Sequence, residues 1–129
     1  MVVLNDTCER CNIVCNTIYF QRNFKNWTSG DNGIDKFIQH TQLSAHCNTS
    51  KTLEWIPYNR FRDIYYVAEK ELGRANWIDG SIEFWYDDNQ SWERVNQNMF
   101  VILKILNNSK IVTWEYMNMV KLFIIQCNC

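Results

Sequence analysis

Cys8, Cys11 and Cys15 stand in a C-x-x-C-x-x-x-C spacing near the start of the chain. Two thiolates three positions apart can reach one tetrahedral ion, so the first pair has the spacing of a zinc knuckle. A closed structural site needs a fourth ligand, and no second C-x-x-C follows at zinc-ribbon distance. His46 and Cys47 are the only nearby pair of ligand type, with His40 a weaker choice. The expected metal set is Cys8, Cys11, Cys15 and Cys47, with zinc as the ion; the alternative is an unliganded cysteine cluster. A second chemistry-bearing feature is the run Phe100–Val101–Ile102–Leu103–Lys104–Ile105–Leu106, β-formers interrupted by one ammonium group. A cation on a buried strand is costly unless an anion pairs with it. Lys104 is therefore either a phosphate contact or a side chain that snorkels from a strand edge.

Elements must position these groups. From Asn16, Ile18, Phe20, Phe24 and Trp27 recur at three- and four-residue spacing and predict one helix with an apolar stripe. Thr28–Gly33 breaks it and supplies an N-cap for a second helix lined by Ile34, Phe37, Ile38 and Leu43. These aromatic stripes are expected to pack helix on helix. Ser44–Thr52 reads as a connector. Leu53–Tyr58 reads as extended because Pro57 biases Ile56 toward β. Ile64, Tyr66 and Ala68 alternate with Tyr65 and Val67, which predicts a strand. Ala75–Trp77 and Ile82–Trp85 flank Ile78–Asp79–Gly80–Ser81, a tight-hairpin signal, and a second turn at Asp87–Gln90 leads to Trp92. The lysine run is expected to be the central strand. Val112, Glu115, Tyr116, Met119, Val120 and Phe123 fall at helical spacing after it. The expected fold is α+β: a cysteine-containing helical leader over residues 1–50, then an antiparallel sheet with one helix over 53–129.

Composition bounds the rest. The 129 residues suffice for one modest core, and 47% hydrophobic content with 15% aromatic argues against disorder throughout. A net charge of -1 gives no electrostatic reason to expect a nucleic-acid partner or an anionic membrane. Neither a transmembrane-length apolar run nor a signal-peptide core is present, so a cytoplasmic chain with reduced cysteines is expected. N-x-S/T matches, among them those at Asn5, Asn26, Asn48 and Asn107, are then chance in an asparagine-rich chain.

The order strand, hairpin, lysine strand, helix is that of a protein-kinase small lobe. Leu53–Phe61, Arg74–Gly80 and Asn98–Lys104, with Phe20–Gly30 and Ile34–Gln39 upstream, together resemble a large family of fungal tyrosine-kinase-like proteins with a cysteine-rich leader. The resemblance runs to about Leu122 and implies ATP-dependent protein phosphorylation, with Lys104 and Gly73 as nucleotide contacts. The chain departs from it in three places. The glycine-rich loop is reduced to Glu69–Lys70–Glu71–Leu72–Gly73–Arg74–Ala75, where Gly73 alone survives and Glu71 would repel phosphate. Met119 holds the place of the lysine's glutamate partner, leaving Glu115, one turn earlier, as a substitute. Neither an H-R-D-x-x-x-x-N nor a D-F-G stretch follows before Cys129. The implied activity is therefore at most residual ATP contact without phosphotransfer, and no magnesium site is expected. The terminal Cys127 and Cys129 offer metal binding or cross-linking, with an inert end as the blander reading. Two other readings stay open: an interaction module that pairs with another kinase or a regulatory protein, and a zinc-ordered leader domain.

Overall fold

The computed structural model describes residues 7–67, 72–105, 111–115 and 122–126. It is an α+β chain with a helical N-terminal segment ahead of antiparallel sheet. Two compact units emerge: residues 1–52 with 83–93, and residues 53–82 with 94–129.

In the first unit, helix α1 spans Asn16–Asn23, tightens into a 3-10 turn at Phe24–Asn26, and is followed by α2, Asn32–Leu43. Asp31 caps α2 by accepting from the Ile34 N–H at 3.0 Å. Asp35, in the first turn, accepts from the Ser29 N–H at 2.8 Å and from the hydroxyls of Ser29 and Thr28. Burial pushes the Asp35 carboxyl up, but those three donors together outweigh it and hold it below the usual range. This charged clasp fixes the 28–35 turn. Asp31→Ala is expected to cost about 1 kcal/mol, the usual worth of a lost N-cap, read as a lowered thermal midpoint of the first unit.

The apolar stripe of α1 does not pack on α2 alone. Phe20 lies 4.3 Å from the Trp92 ring, Tyr19 stacks on Trp85 at 4.6 Å, and Trp85 meets Trp92 edge-on at 5.1 Å. These tryptophans lie on β3, Ser81–Tyr86, and β4, Ser91–Val95, which form a separate two-stranded sheet joined by a 3-10 turn at Asp87–Asn89. On α2 only Ile38 of the expected stripe is fully buried, while Phe37 and Leu43 are exposed.

The second unit is a five-stranded sheet in the order β1-β2-β5-β6-β7, with β1 at Phe61–Val67, β2 at Leu72–Trp77, β5 at Met99–Ile105, β6 at Ile111–Glu115 and β7 at Leu122–Gln126. The lysine strand β5 is its centre, as expected. Ala75, Trp77 and Val101 are buried while Arg74 and Phe100 are exposed, the period-two alternation of a sheet with one covered face. Arg94 Nη1 donates to both Glu54 oxygens at 3.1 Å and to the Gly80 carbonyl at 2.8 Å. Arg60 and Asp79 form a bidentate pair at 2.6 and 2.9 Å.

Two expectations are corrected. The Asp79–Gly80 turn does not close a hairpin, because β2 pairs with β1 and β5 while β3 pairs with β4. The helix-period residues from Val112 to Phe123 do not form one helix: residues 111–115 and 122–126 are strands paired in antiparallel register. Ile111–Val112–Thr113–Trp114 and Phe123–Ile124–Ile125 are β-branched and aromatic; the free edge of β5 offers β6 a ladder, and β6 offers one to β7. Periodicity alone cannot separate such short apolar runs.

Candidate metal centre

The site is built from two loops of the first unit. Residues 8–13 form a knuckle closed by Cys8 N–H to the Ile13 carbonyl at 2.8 Å and Asn12 N–H to the Cys8 carbonyl at 2.7 Å. Asn12 takes a left-handed φ of 58°, which asparagine tolerates better than most residues. This turn brings Cys8 and Cys11 to one side, and Cys15 is fixed as the residue preceding the first turn of α1. The second loop follows α2. His46 has a φ of 50°, which turns its ring back toward the knuckle.

Three sulfurs converge on one imidazole nitrogen. His46 Nδ1 lies 3.3 Å from Cys8 Sγ, 3.6 Å from Cys11 Sγ and 3.9 Å from Cys15 Sγ. All four ligand atoms lie within 4.8 Å of one another. With Zn–S near 2.3 Å and Zn–N near 2.0 Å, a tetrahedron has S···N edges of about 3.6 Å. The observed S···N distances bracket that value, and the widest separation of 4.8 Å exceeds a tetrahedral S···S edge of about 3.8 Å by about 1 Å, so the four groups can hold a metal ion after closing by about that much. Cys8 and Cys15 are buried, Cys11 and His46 half-buried. An open cleft of about 620 Å³, bordered by Cys8, His46, Arg10 and Arg22, gives an ion a path from solvent.

The expected fourth ligand is corrected here. His46 completes the cluster, and Cys47, although adjacent in sequence, is exposed and stands outside it. Neighbouring side chains on a turn diverge, so only one of the pair can face the knuckle, and the left-handed backbone selects His46. His40 is also exposed and outside the group.

Thr17 is a residue that spacing did not single out. Its buried hydroxyl accepts the His46 N–H at 2.8 Å and donates to the Leu43 carbonyl at 3.2 Å, tying α1 to the turn that carries the histidine. Outer partners that orient ligands are typically worth about 10- to 100-fold in metal affinity. Thr17→Val, which keeps the shape and removes the hydroxyl, is expected to weaken cobalt binding by that factor, and Thr17→Ser to restore it. A buried threonine in the first turn of a helix was the one sequence signal available.

The metal-free thiols are electrostatically unequal. N–H groups of Cys11 and Arg10 point at the Cys8 sulfur and, with Cys15 and His46, hold its thiol down to about 6. Burial, then the neighbouring sulfurs of Cys8 and Cys15, push Cys11 up to about 12. These opposite shifts favour a thiolate at Cys8 and a thiol at Cys11 near neutral pH, so metal capture is expected to expel at least the Cys11 proton. Apparent affinity is expected to fall by at least about tenfold per unit as pH drops toward 6, and more steeply below, where Cys8 also binds a proton. Competition with a chelator of known affinity across that range measures the slope.

The kinase-type candidates lie in the second unit. Lys104 stands on β5 opposite Leu72 and Thr113, and Gly73 stands one rung away on β2, opposite Leu103. Glu115 is on strand β6 opposite Ile102, not on a helix. Glu69, Lys70, Glu71, Met119, Cys127 and Cys129 lie outside the described residues. No helix among the described residues is long and apolar enough to cross a membrane. No family model, curated protein or solved structure matches this chain.

Proposed function

We propose that the chain is a binding module whose N-terminal unit is ordered by one structural zinc ion held by Cys8, Cys11, Cys15 and His46. The single observation that carries this reading is the convergence of three sulfurs on His46 Nδ1. The donor set favours zinc: soft thiolates with one imidazole, in a four-ligand cluster, suit Zn²⁺ better than the hard cations. All four positions come from protein, so the ion would serve folding and not catalysis. It would join residues 38 apart in sequence, clamping the knuckle to the far end of α2. The unit has few other staples, since its core rests on Phe20, Ile38 and the four-ring cluster with Trp85 and Trp92.

Removal of the ion tests the reading. A strong chelator is expected to strip one zinc per chain and to abolish the near-ultraviolet signal of the Tyr19–Phe20–Trp85–Trp92 cluster, with recovery on adding zinc back. A fold indifferent to chelation would sink it.

Residual nucleotide contact at Lys104 is a second reading. Supporting it, Lys104 is on the central strand with Gly73 one rung away on the neighbouring strand. ATP would then raise the thermal midpoint, and Lys104→Ala would remove the rise.

A further inference from the structure

The two faces of the β1-β2-β5 sheet differ in chemistry. One carries the rungs Phe61–Trp77–Met99 and Ala75–Val101, where Phe61, Trp77, Ala75 and Val101 are buried. The other carries the rungs Arg62–Asn76–Phe100 and Tyr65–Arg74–Ile102. There Tyr65 is 59% and Phe100 43% exposed, and both arginines are exposed. Two open rings on one sheet face offer an aromatic surface for a partner to cover.

The charges narrow down what that is. The Arg74 guanidinium lies 5.3 Å from the centre of the Tyr65 ring, which holds it flat against the face. Among the described residues neither Arg62 nor Arg74 is in an ion pair, unlike Arg60 and Arg94. On β1, β2 and β5 the two outer rungs contain no carboxylate; the second continues onto β6 at Glu115, opposite Ile102, and Asp63 sits in the bulge beside them at a φ of 55°. One strand, β2, lies between the rings, so they stand about 12 Å apart by two strand spacings and the rise of two residues, with cations between and beside them. The complementary ligand has flat π-faces on a flexible anionic backbone. The chain's net charge of -1 removes long-range attraction but leaves a local platform of this kind intact.

We propose that this face binds single-stranded nucleic acid, with bases stacked on Tyr65 and Phe100 and backbone phosphates met by Arg62 and Arg74. Sheet faces bearing exposed aromatics use the same chemistry on unstacked bases. Sequence preference is not expected, because stacking accepts any base and only Asn76 on these rungs carries an amide, which donates to the Asn98 carbonyl at 3.1 Å.

The test is fluorescence anisotropy of a labelled oligo-uridylate titrated with the full, metal-loaded chain at several salt concentrations. Binding is expected with a log–log salt slope of about −1.4, the value for two phosphate contacts to a single strand. Tyr65→Ala and Phe100→Ala are each expected to weaken binding about 5- to 100-fold. Arg62→Gln with Arg74→Gln should flatten the slope toward zero. All four positions are exposed, and circular dichroism with metal content on the same samples checks folding independently of the zinc reading. No binding by the wild type overturns the proposal. So does binding unchanged in the ring variants, or equal competition by polyglutamate, which would make the face a general anion site.

Discussion

His46→Ala is expected to lower apparent metal affinity by about a hundredfold or more, whereas Cys47→Ala leaves it within about twofold. Structural zinc in small domains is worth some 10–16 kcal/mol at neutral pH, so one of four ligands accounts for about 3 kcal/mol, or two factors of ten. The two substitutions are one residue apart, remove one ligand-type side chain each, and differ only in which way the backbone aims them. His46 Nδ1 sits 3.3 to 3.9 Å from three sulfurs, while Cys47 is exposed. Cys11→Ala should match His46→Ala, because each leaves a three-ligand site. The proposed zinc site couples metal binding to folding, so both variants should also melt at lower temperature in excess zinc. Isothermal titration with competing chelator and thermal melts of the four proteins would show the pattern. Equal loss in the Cys47 variant would place the ligand there instead.

Gly80→Ala is expected to damage the second unit severely for a change of one methyl group. Gly80 has a φ of 74°, and a Cβ added there would lie 2.1 Å from the Val95 carbonyl oxygen and 2.9 Å from Asn96 and Gln97 backbone atoms. No side chain can swing aside, so the main chain itself must move. The left-handed conformation costs about 1–2 kcal/mol for an L-residue, and overpacking adds about 1–3 more. The shift would also disturb the carbonyl that Arg94 holds at 2.8 Å together with Glu54, a carboxylate mostly shielded from solvent. A loss of about 3 kcal/mol or more is a large share of the 5–15 kcal/mol that stabilises a typical domain. Gly30→Ala is the control: its φ is 90° but nothing lies within 4 Å of the added methyl, so it carries the conformational strain alone. Urea unfolding should place the Gly80 variant well below the Gly30 variant. Equal midpoints would mean that the 80–95 contact is not held in solution.

The metal centre was half legible in the sequence. Cys8 and Cys11 announce a knuckle because their spacing alone fixes the geometry, and Cys15 follows from the start of α1. The fourth ligand is decided by a left-handed residue and by a hydroxyl 29 positions away, Thr17, which no spacing rule connects to His46. That the Thr28–Gly33 stretch caps α2 was legible for the local reason that an N-cap is chemistry within four residues, and the structure gives Asp31 as the cap. The membership of Glu83–Glu93 in the first unit was not, because the contacts of Trp85 and Trp92 with Tyr19 and Phe20 span more than sixty positions. The last two strands were misread as helix because Val112, Glu115, Met119 and Phe123 satisfy a 3.6 period while their neighbours satisfy the demands of a ladder. There the ladder decides, β5 pairing with β6 and β6 with β7.

One measurement addresses the central claim most directly: X-ray absorption at the zinc edge of the chain as purified with its metal. Three sulfurs at about 2.3 Å and one imidazole nitrogen at about 2.0 Å are expected for Cys8, Cys11, Cys15 and His46. Four sulfurs, or a shell dominated by oxygen, would contradict the assignment and with it the account of how the N-terminal unit is held.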